Sequence, residues 1–158
     1  MYEESRNSLR EYIQNAFDAI RAAVRGKVIK AAEGRVTVLL PDENTITVRD
    51  NGTGISAVSA LGTLTAIGLS KKARTKDAGF RGIGRLAGIA FCNTLSFRTK
   101  ASGETTETTV TFDCRSLRTA MTSDVEESQP LAQLLQNNVK SATAHVSDAK
   151  AHYMVVTL

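Results

Sequence analysis

The sequence predicts an α+β fold, a two-layer sandwich in which helices pack on one face of a mixed, mostly antiparallel sheet. Three observations point to this class. A long amphipathic segment comes first, strand-like segments then occur in adjacent pairs joined by turn sequences, and the remaining helical segments do not alternate regularly with strands. A chain of 158 residues, 42% of them hydrophobic, can bury a core of its own, so we expect a single domain.

The first predicted element is a helix over residues 5 to about 25. Its apolar residues recur every three or four positions and define one face: Leu9, Ile13, Ala16, Phe17, Ile20 and Val24. Glu11, Asn15 and Asp18 lie three or four positions apart on the other side, where they form one polar stripe. Gly26 is predicted to end the helix.

Two pairs of alternating segments predict antiparallel hairpins. RVTVLL (35–40) and TITVRD (45–50) are joined by PDEN, which is a turn signal. NTLSFRTKA (93–101) and ETTETTVTFD (104–113) are joined by a short turn. AHYMVVTL (151–158) predicts one further strand. These five strands supply the predicted sheet.

Shorter helices are predicted elsewhere in the chain. Ser56 is expected to cap a helix that ends near Ile67. GIGRLAGIAF (82–91) predicts a helix that starts in glycines, and PLAQLLQNNV (130–139) predicts another. The rest of the segment 115–148 is polar and has no clear period, so it predicts no definite element.

Residues 68–84 predict a long mobile loop, because they are rich in Gly, Lys and Arg and show no periodicity. Six basic residues lie at its positions and just beyond: Lys71, Lys72, Arg74, Lys76, Arg81 and Arg85. With a net charge of +4, this cluster favours a polyanion, either the phosphates of a nucleotide or a nucleic acid. Aromatic residues make up only 5%, so we do not expect this domain to stack nucleic-acid bases.

Several other classes find no support in the sequence. No apolar run approaches the roughly 18 residues of a membrane span, and the polar start MYEESRNSLREY does not match a secretory signal. We therefore expect a cytoplasmic protein that does not bind membranes. Cys92 and Cys114 lack the number and spacing of a disulfide framework or a zinc site, and predict buried, reduced thiols. His145 and His152 are isolated and predict surface or packing residues.

Three segments carry candidate chemistry. We name them the helix motif (LREYIQNAFDAI, 9–20), the turn motif (RDNGTGI, 49–55) and the glycine motif (GFRGIG, 79–84). Each alone is a weak signal, because a Glu-x-x-x-Asn pair, an Asp-Asn-Gly turn and spaced glycines all occur by chance. Their order along the chain, together with a helix, a strand end and a loop as their contexts, is far more specific. The phosphate-loop motif GxxxxGKS/T and the metalloprotease motif HExxH do not occur.

Together the three motifs resemble the ATP-binding motifs of the GHKL superfamily, which includes gyrase, heat-shock chaperone, histidine kinase and MutL-type ATPases. The matched positions are Glu11, Asn15, Asp18 and Ala19 in the helix motif, Asp50, Gly52 and Gly54 in the turn motif, and Gly79, Gly82 and Gly84 in the glycine motif. The resemblance covers about residues 5–100. It implies the Bergerat ATP-binding fold, with ATP and Mg²⁺ as ligands.

The resemblance assigns roles that suit the residue types. Asn15 would supply an amide oxygen to Mg²⁺, which prefers oxygen ligands and often takes only one or two from the protein. Glu11, one helical turn earlier, would be the catalytic residue that takes a proton from the attacking water. Asp50 would accept a hydrogen bond from the adenine amino group, which predicts adenine over guanine. Gly52 and Gly54 would let the backbone approach the base.

The glycine motif is expected to bind phosphate. Gly82, Ile83 and Gly84 precede a predicted helix, where backbone N–H groups form an anion site. Ser70 and Lys71 stand in LSKK, which resembles the start of the lid in MutL-like members, and they are further candidates to contact the nucleotide.

These residues predict a domain that binds ATP with Mg²⁺ under a mobile lid (68–84) and hydrolyses it to drive a conformational or dimerisation switch. Its partners would be other domains of a longer multidomain protein, of which we expect this chain to be a fragment, or a second protomer. Three alternatives stay open: a nucleotide-binding regulatory module with little turnover, a histidine-kinase-type catalytic domain, and a basic nucleic-acid-binding domain. The Gly-Thr pair that family members often carry on a late strand is absent from HYMVVTL.

Overall fold

The structure is a computed structural model, and it describes residues 2–66, 84–122 and 131–158. The helices are α1 (Tyr2–Arg25), α2 (Ala57–Thr65), α3 (Cys114–Thr122) and α4 (Leu131–Asn138), with short 3₁₀ helices at Ala31–Glu33 and Gly84–Ala90. The strands are β1 (Val36–Asp42), β2 (Thr45–Asp50), β3 (Thr94–Lys100), β4 (Thr106–Asp113), β5 (Val139–His145) and β6 (Tyr153–Thr157).

These six strands form one sheet in the order β1-β2-β6-β3-β4-β5. The two predicted hairpins, β1–β2 and β3–β4, are confirmed. β6, the last strand in the chain, lies between the hairpins and pairs with β2 on one side and β3 on the other. The predicted α+β class is confirmed. The predicted sheet was mixed and mostly antiparallel, and every pairing among the described strands is antiparallel.

The helices cover one face of this sheet, and the core lies between the two layers. A row of register partners crosses four strands on that face: Val48, Val156, Phe97 and Val110. Tyr12 and Ala16 of α1 and Leu64 of α2 belong to the same core. The rings of Tyr12 and Phe112 both meet Phe97 edge to face, with centroids 6.4 and 5.9 Å from it. Burial of each large apolar side chain contributes about 1.5–3 kcal/mol, so this row fixes α1 on the sheet.

The opposite face of the sheet carries mostly polar and charged side chains, as expected from the alternation of residues along a strand, with Val155 as a buried exception. The Arg49 guanidinium lies over the Tyr153 ring, 5.1 Å from its centroid. The Glu107 carboxylate lies 3.8 Å from Arg98 and accepts a hydrogen bond from the Tyr153 hydroxyl. Among the described residues, no helix has the length and apolar character that crossing a bilayer requires.

Two predicted helices form with local differences. α2 begins directly after Ser56, but the Ser56 hydroxyl bonds the Ser59 hydroxyl at 2.6 Å and does not cap the backbone. The segment 82–91 forms a 3₁₀ helix over Gly84–Ala90 rather than an α-helix. Glycine disfavours the α-helix, and the Gly88 N–H donates to the Tyr12 hydroxyl at 2.9 Å.

The segment that predicted no definite element contains α3 and β5, in addition to the predicted helix α4. β5 lacks an alternating apolar pattern and is mostly exposed, so it is held by its pairing with β4 and not by burial of one face. The predicted lid lies outside the described residues, apart from Gly84.

Candidate functional site

The helix motif presents a stripe of three positions along α1. Glu11, Asn15 and Ala19 are spaced four residues apart, so they lie on one side of the helix over about 12 Å, at 1.5 Å per residue. The Glu11 and Asn15 side chains are exposed, and within the described residues no hydrogen bond or ion pair engages either of them. Both are therefore open to a ligand that approaches this side of α1.

Asp18, the remaining polar residue of the helix motif, is engaged on the helix surface. Its carboxylate accepts a hydrogen bond from the Gln14 amide at 3.3 Å and lies 3.9 Å from the Arg21 guanidinium. These exposed contacts between residues three and four positions apart stabilise α1 by a few tenths of a kcal/mol, on the order measured for such pairs. They leave Asp18 with a local role in the helix.

The turn motif begins with a buried carboxyl group. Asp50 ends β2 with only 4% of its surface exposed. Its Oδ1 accepts a hydrogen bond from the Gly52 N–H at 2.8 Å, and among the described residues nothing hydrogen-bonds Oδ2. Burial raises the pKa of Asp50 to about 6, against smaller opposing effects of the Gly52 N–H and of His152. One oxygen thus holds the turn while the other is available.

Gly52 lies where the turn motif meets the helix motif. A Cβ at this position would lie 2.5 Å from the Ala19 Cβ, so only glycine permits the close approach. The Gly52 carbonyl lies 2.6 Å from Nδ1 of His152, and because a carbonyl only accepts, Nδ1 carries the proton. Side chains therefore hold both peptide groups of Gly52, one from Asp50 and one from His152.

Asn51 anchors the turn on the opposite side. Its side-chain oxygen accepts a hydrogen bond from the Arg35 N–H at 2.6 Å, and its amide group donates to the Glu33 carbonyl at 2.8 Å. The backbone N–H of Asn51 also donates to the Arg35 carbonyl. The segment before β1 is therefore tied to the turn motif at three atoms.

The end of the turn motif is fixed against β3 and β6. Gly54 has φ +62°, and a Cβ there would lie 2.0 Å from the Lys100 carbonyl oxygen, so conformation and space both require glycine. The Ile55 N–H donates to the Thr99 hydroxyl at 2.8 Å. That hydroxyl donates in turn to the Tyr153 carbonyl at 3.1 Å. The turn is therefore hydrogen-bonded to neighbouring elements from Asn51 to Ile55.

Gly84 brings the end of the glycine motif to the helix motif. A Cβ on Gly84 would lie 2.6 Å from Oε2 of Glu11, so the Gly84 backbone passes directly beside that carboxylate. The Tyr12 hydroxyl and Arg85, whose guanidinium donates to the Thr63 carbonyl, hold the 3₁₀ helix against α1 and α2. The other candidates of this region, Ser70, Lys71, Gly79, Gly82 and Ile83, lie outside the described residues.

β6, which contains most of HYMVVTL, pairs with the strand that ends in Asp50, and it places no threonine opposite Asp50. Met154 is the register partner of Asp50 on β2 and of Thr99 on β3. Thr99 is thus on the same row and face as Asp50, two strands away. The register therefore places the Thr99 hydroxyl of β3 on the row of Asp50.

Sequence reasoning missed three residues that build the turn: Asn51, Thr99 and His152. His152 was predicted to be an isolated surface or packing residue, yet it contacts the turn motif. The sequence does place His152 immediately before the last strand. Its contact depends on β6 entering the sheet beside β2, which hairpin patterns do not indicate.

The structure thus brings the described positions of the three motifs to one side of α1. Gly84 meets Glu11 at one end of the stripe, and Gly52 meets Ala19 at the other.

Comparison with protein-family models matches residues 2–145 to the family described as histidine kinase-, DNA gyrase B-, and HSP90-like ATPase. A search of curated proteins returns no match. Since the family model spans most of the chain and all three motifs, the chain belongs to this family.

Proposed function

We propose, from the premise of this family membership, that the chain binds ATP with Mg²⁺ and hydrolyses it. The observation that supports the proposal best is the convergence of the motifs on α1, where Gly52 abuts Ala19 and Gly84 abuts Glu11. A nucleotide laid along this stripe reaches the buried carboxyl at one end and the exposed carboxylate at the other. Family membership alone supports ATP binding. The two ends of the stripe further support base recognition at the Asp50 end and hydrolysis at the Glu11 end.

Asp50 recognises the base in this proposal. Its Oδ2 is not engaged by the described residues, and an ionised carboxylate accepts but does not donate. It therefore selects an exocyclic amine, which adenine has at the position where guanine has a carbonyl. Because Gly52 and Gly54 lack side chains, the turn backbone can lie close to the edge of the purine.

Asn15 and Glu11 serve the phosphate end. The donor set fits a hard cation, because Asn15 offers a neutral amide oxygen and lies in the exposed middle of the stripe. When bound, Mg²⁺ would neutralise charge on the phosphate oxygens. Glu11, exposed and one turn from Asn15, accepts a proton from the water that attacks the terminal phosphate, which breaks the bond to the leaving diphosphate.

The switch function rests on the family resemblance. A lid over residues 68–84, including the candidates Ser70, Lys71, Gly82 and Ile83, would close on the phosphates and release after hydrolysis. Gly84, at the boundary of that segment, lies beside Glu11. Closure and catalysis would therefore meet at one place, and either other domains or a second protomer would respond to it.

Calorimetric titration with non-hydrolysable ATP and GTP analogues, each with and without Mg²⁺, tests the binding proposal. We expect saturable binding of the ATP analogue, strengthened by Mg²⁺. The GTP analogue should bind at least about tenfold more weakly, because one mismatched hydrogen bond costs about 1.4 kcal/mol. Equal affinity for the two analogues would remove Asp50 from base recognition. No heat with either analogue would refute the function.

Single-turnover hydrolysis tests the role of Glu11. Glu11→Gln keeps the shape of the side chain but cannot take the proton, so we expect turnover to fall by roughly 10²–10⁴-fold with ATP affinity retained. Glu43→Gln is the matched control, because Glu43 is an exposed glutamate in the β1–β2 turn, at the opposite end of that hairpin from Asp50. If the unmodified chain binds ATP without measurable turnover, the regulatory-module alternative replaces hydrolysis.

A further inference from the structure

The two cysteines of the chain lie side by side where the segment after the 3₁₀ helix Gly84–Ala90 meets the start of α3. Cys92 follows that helix by two residues, and Cys114 is the first residue of α3. Their sulfur atoms are 3.6 Å apart, and neither is in a disulfide. The sequence contains no other cysteine, so each has the other as its nearest thiol along the same chain.

The backbone around this pair is tightly tied. The Cys114 N–H donates to the Asn93 carbonyl at 3.0 Å, which joins the start of α3 to the residue after Cys92. The Arg118 guanidinium donates at 2.6 Å to both the Cys92 and the Ile89 carbonyls. These bonds hold the segment that carries Cys92 against α3, so the two sulfur atoms stay adjacent in the folded protein.

The two thiols differ in exposure and acidity. Cys114 is fully buried, whereas Cys92 is half-buried, so Cys92 is the more open of the two to a small solute. The hydrogen bond with Cys114 and the charge of Arg118 both lower the pKa of Cys92. The same contact and burial raise the pKa of Cys114. Because the thiolate is the nucleophile, Cys92 is the sulfur that reacts first with an oxidant.

We propose that Cys92 and Cys114 form an oxidisable dithiol, a modification site that closes to an intramolecular disulfide on reaction with a hydroperoxide. In the first step the Cys92 sulfur attacks the peroxide, the O–O bond breaks, and Cys92 becomes a sulfenic acid with release of water or an alcohol. In the second step the Cys114 sulfur attacks Cys92, the S–O bond breaks and water leaves. Two thiols are thereby oxidised and one peroxide is reduced.

The second step needs no solvent access to Cys114, because its attack is internal. The sulfur atoms must approach from 3.6 Å to about 2.05 Å. Closure also removes the Cys92 S–H, which lies 2.8 Å from the Gly88 carbonyl as a donor. The N–H of Gly88 donates to the Tyr12 hydroxyl, and Tyr12 is the neighbour of Glu11 on α1. Gly88 therefore connects the dithiol to the helix motif through its carbonyl and its N–H.

Thiol counting after treatment with hydrogen peroxide tests the site without any nucleotide. Both thiols should disappear together, with a mass loss of two hydrogens per chain, no cross-linked dimer on a non-reducing gel, and full recovery on adding dithiothreitol. Cys114→Ser is the matched control, because Cys92 then lacks its resolving partner and should gain oxygen instead. The proposal is overturned if the unmodified chain keeps both thiols at a peroxide dose that oxidises Cys92 in Cys114→Ser. Gain of oxygen on Cys92 with Cys114 still reduced, or a disulfide between two chains, would overturn it equally.

The effect of closure on nucleotide binding rests on the proposed function. We expect the oxidised chain to bind the non-hydrolysable ATP analogue about fivefold more weakly than the reduced chain, the equivalent of one hydrogen bond near the site. Equal affinity in both forms would refute the coupling to α1. If the reduced chain binds no ATP analogue, the proposed function fails while the thiol count still decides the disulfide site.

Discussion

The turn motif and the stripe on α1 differ in how their side chains are held. Asp50 is 4% exposed, and the turn that follows it is hydrogen-bonded to three other parts of the chain through Asn51, Gly52 and Ile55. Glu11 and Asn15 are exposed, and no described residue bonds their side chains. At one end of the candidate site the polar groups are already hydrogen-bonded within the chain, and at the other end they are left to the ligand.

This difference suits the two tasks proposed for the site. Discrimination between purines requires an acceptor at a fixed position, since a mobile carboxylate could adapt to either base. Phosphate and metal binding tolerates solvated groups, because the ligand brings the charges that orient them. The fixed end has a cost, visible in the raised pKa of the buried Asp50 carboxyl. Substitutions in and around the turn motif therefore measure how much of the molecule's stability and selectivity the fixed end carries.

The largest effect is expected from Gly54→Ala. Alanine is strained at φ +62°, and its Cβ would lie 2.0 Å from the Lys100 carbonyl oxygen, which is backbone and cannot rotate away. Strain and clash each cost about 1–3 kcal/mol, so we expect the free energy of unfolding to fall by about 4 kcal/mol. Urea denaturation followed by circular dichroism measures it.

Gly62→Ala is the matched control for that substitution. Gly62 lies within α2, and a Cβ there would meet nothing within 4 Å. Alanine is the better helix former, so this variant should be more stable by about 0.5–1 kcal/mol. A similar loss of stability in both variants would mean that glycine at position 54 has no special role in fixing the turn.

The next effect is a dependence of stability on pH that originates at Asp50. Its pKa rises from 3.8 in the unfolded chain to about 6 in the folded one, so the folded state binds the proton more tightly. The resulting stabilisation is fully present below pH 3.8 and is lost as the pH rises through about 6. It amounts to about 3 kcal/mol at 1.36 kcal/mol per pH unit.

The measurement compares the unmodified chain with Asp50→Asn, whose amide keeps the shape and does not titrate. The difference between their free energies of unfolding cancels the titration of all other groups. On going from about pH 7.5 to about pH 4, this difference should shift in favour of the unmodified chain by about 2–3 kcal/mol. A difference that stays constant over this interval would show that Asp50 titrates like an exposed carboxyl group.

A smaller effect separates two buried threonines that are register partners. The Thr99 hydroxyl accepts from the Ile55 N–H and donates to the Tyr153 carbonyl, whereas the Thr108 hydroxyl finds no hydrogen-bond partner among the described residues. Thr99→Val should lower the free energy of unfolding by about 2 kcal/mol, because it leaves a donor and an acceptor unpaired. Thr108→Val, equal in size and burial, should cost nothing or stabilise slightly. Equal losses in both would mean that Thr99 does not anchor the turn.

The contrast between these threonines also marks what the sequence could predict. Both threonines lie in strands whose residues alternate clearly between the two faces of the sheet. The local pattern therefore predicts the hairpin and the fact that both side chains face the helices. Which of the two hydroxyls meets the turn motif depends on β6 lying beside β3, a pairing between distant segments with no local signal. The helix, turn and glycine motifs were identifiable because each is a short run whose spacing is set by one element.

The elements that sequence reasoning left open have the same physical origin. β5 is a strand because β4 offers it an edge, and its exposed, mixed residues carry no pattern of their own. The 3₁₀ helix Gly84–Ala90 is joined to α1 by the bond between the Gly88 N–H and the Tyr12 hydroxyl, a contact across 76 positions. Local patterns predict elements that bury their own apolar face, and they do not predict elements or contacts that depend on a distant partner.

The smallest effect concerns His152 and falls on nucleotide selectivity. Its Nδ1–H donates to the Gly52 carbonyl, so His152→Ala should loosen the turn. We expect this variant to bind the ATP analogue about fivefold more weakly, roughly 1 kcal/mol, and to discriminate less between the ATP and GTP analogues. His152→Asn places an amide N–H near the same position and should restore both values. His145→Ala is the control, because His145 is the exposed histidine of β5 and should change neither. If His152→Asn behaves like His152→Ala, the ring matters for its bulk or charge and not for the hydrogen bond to Gly52.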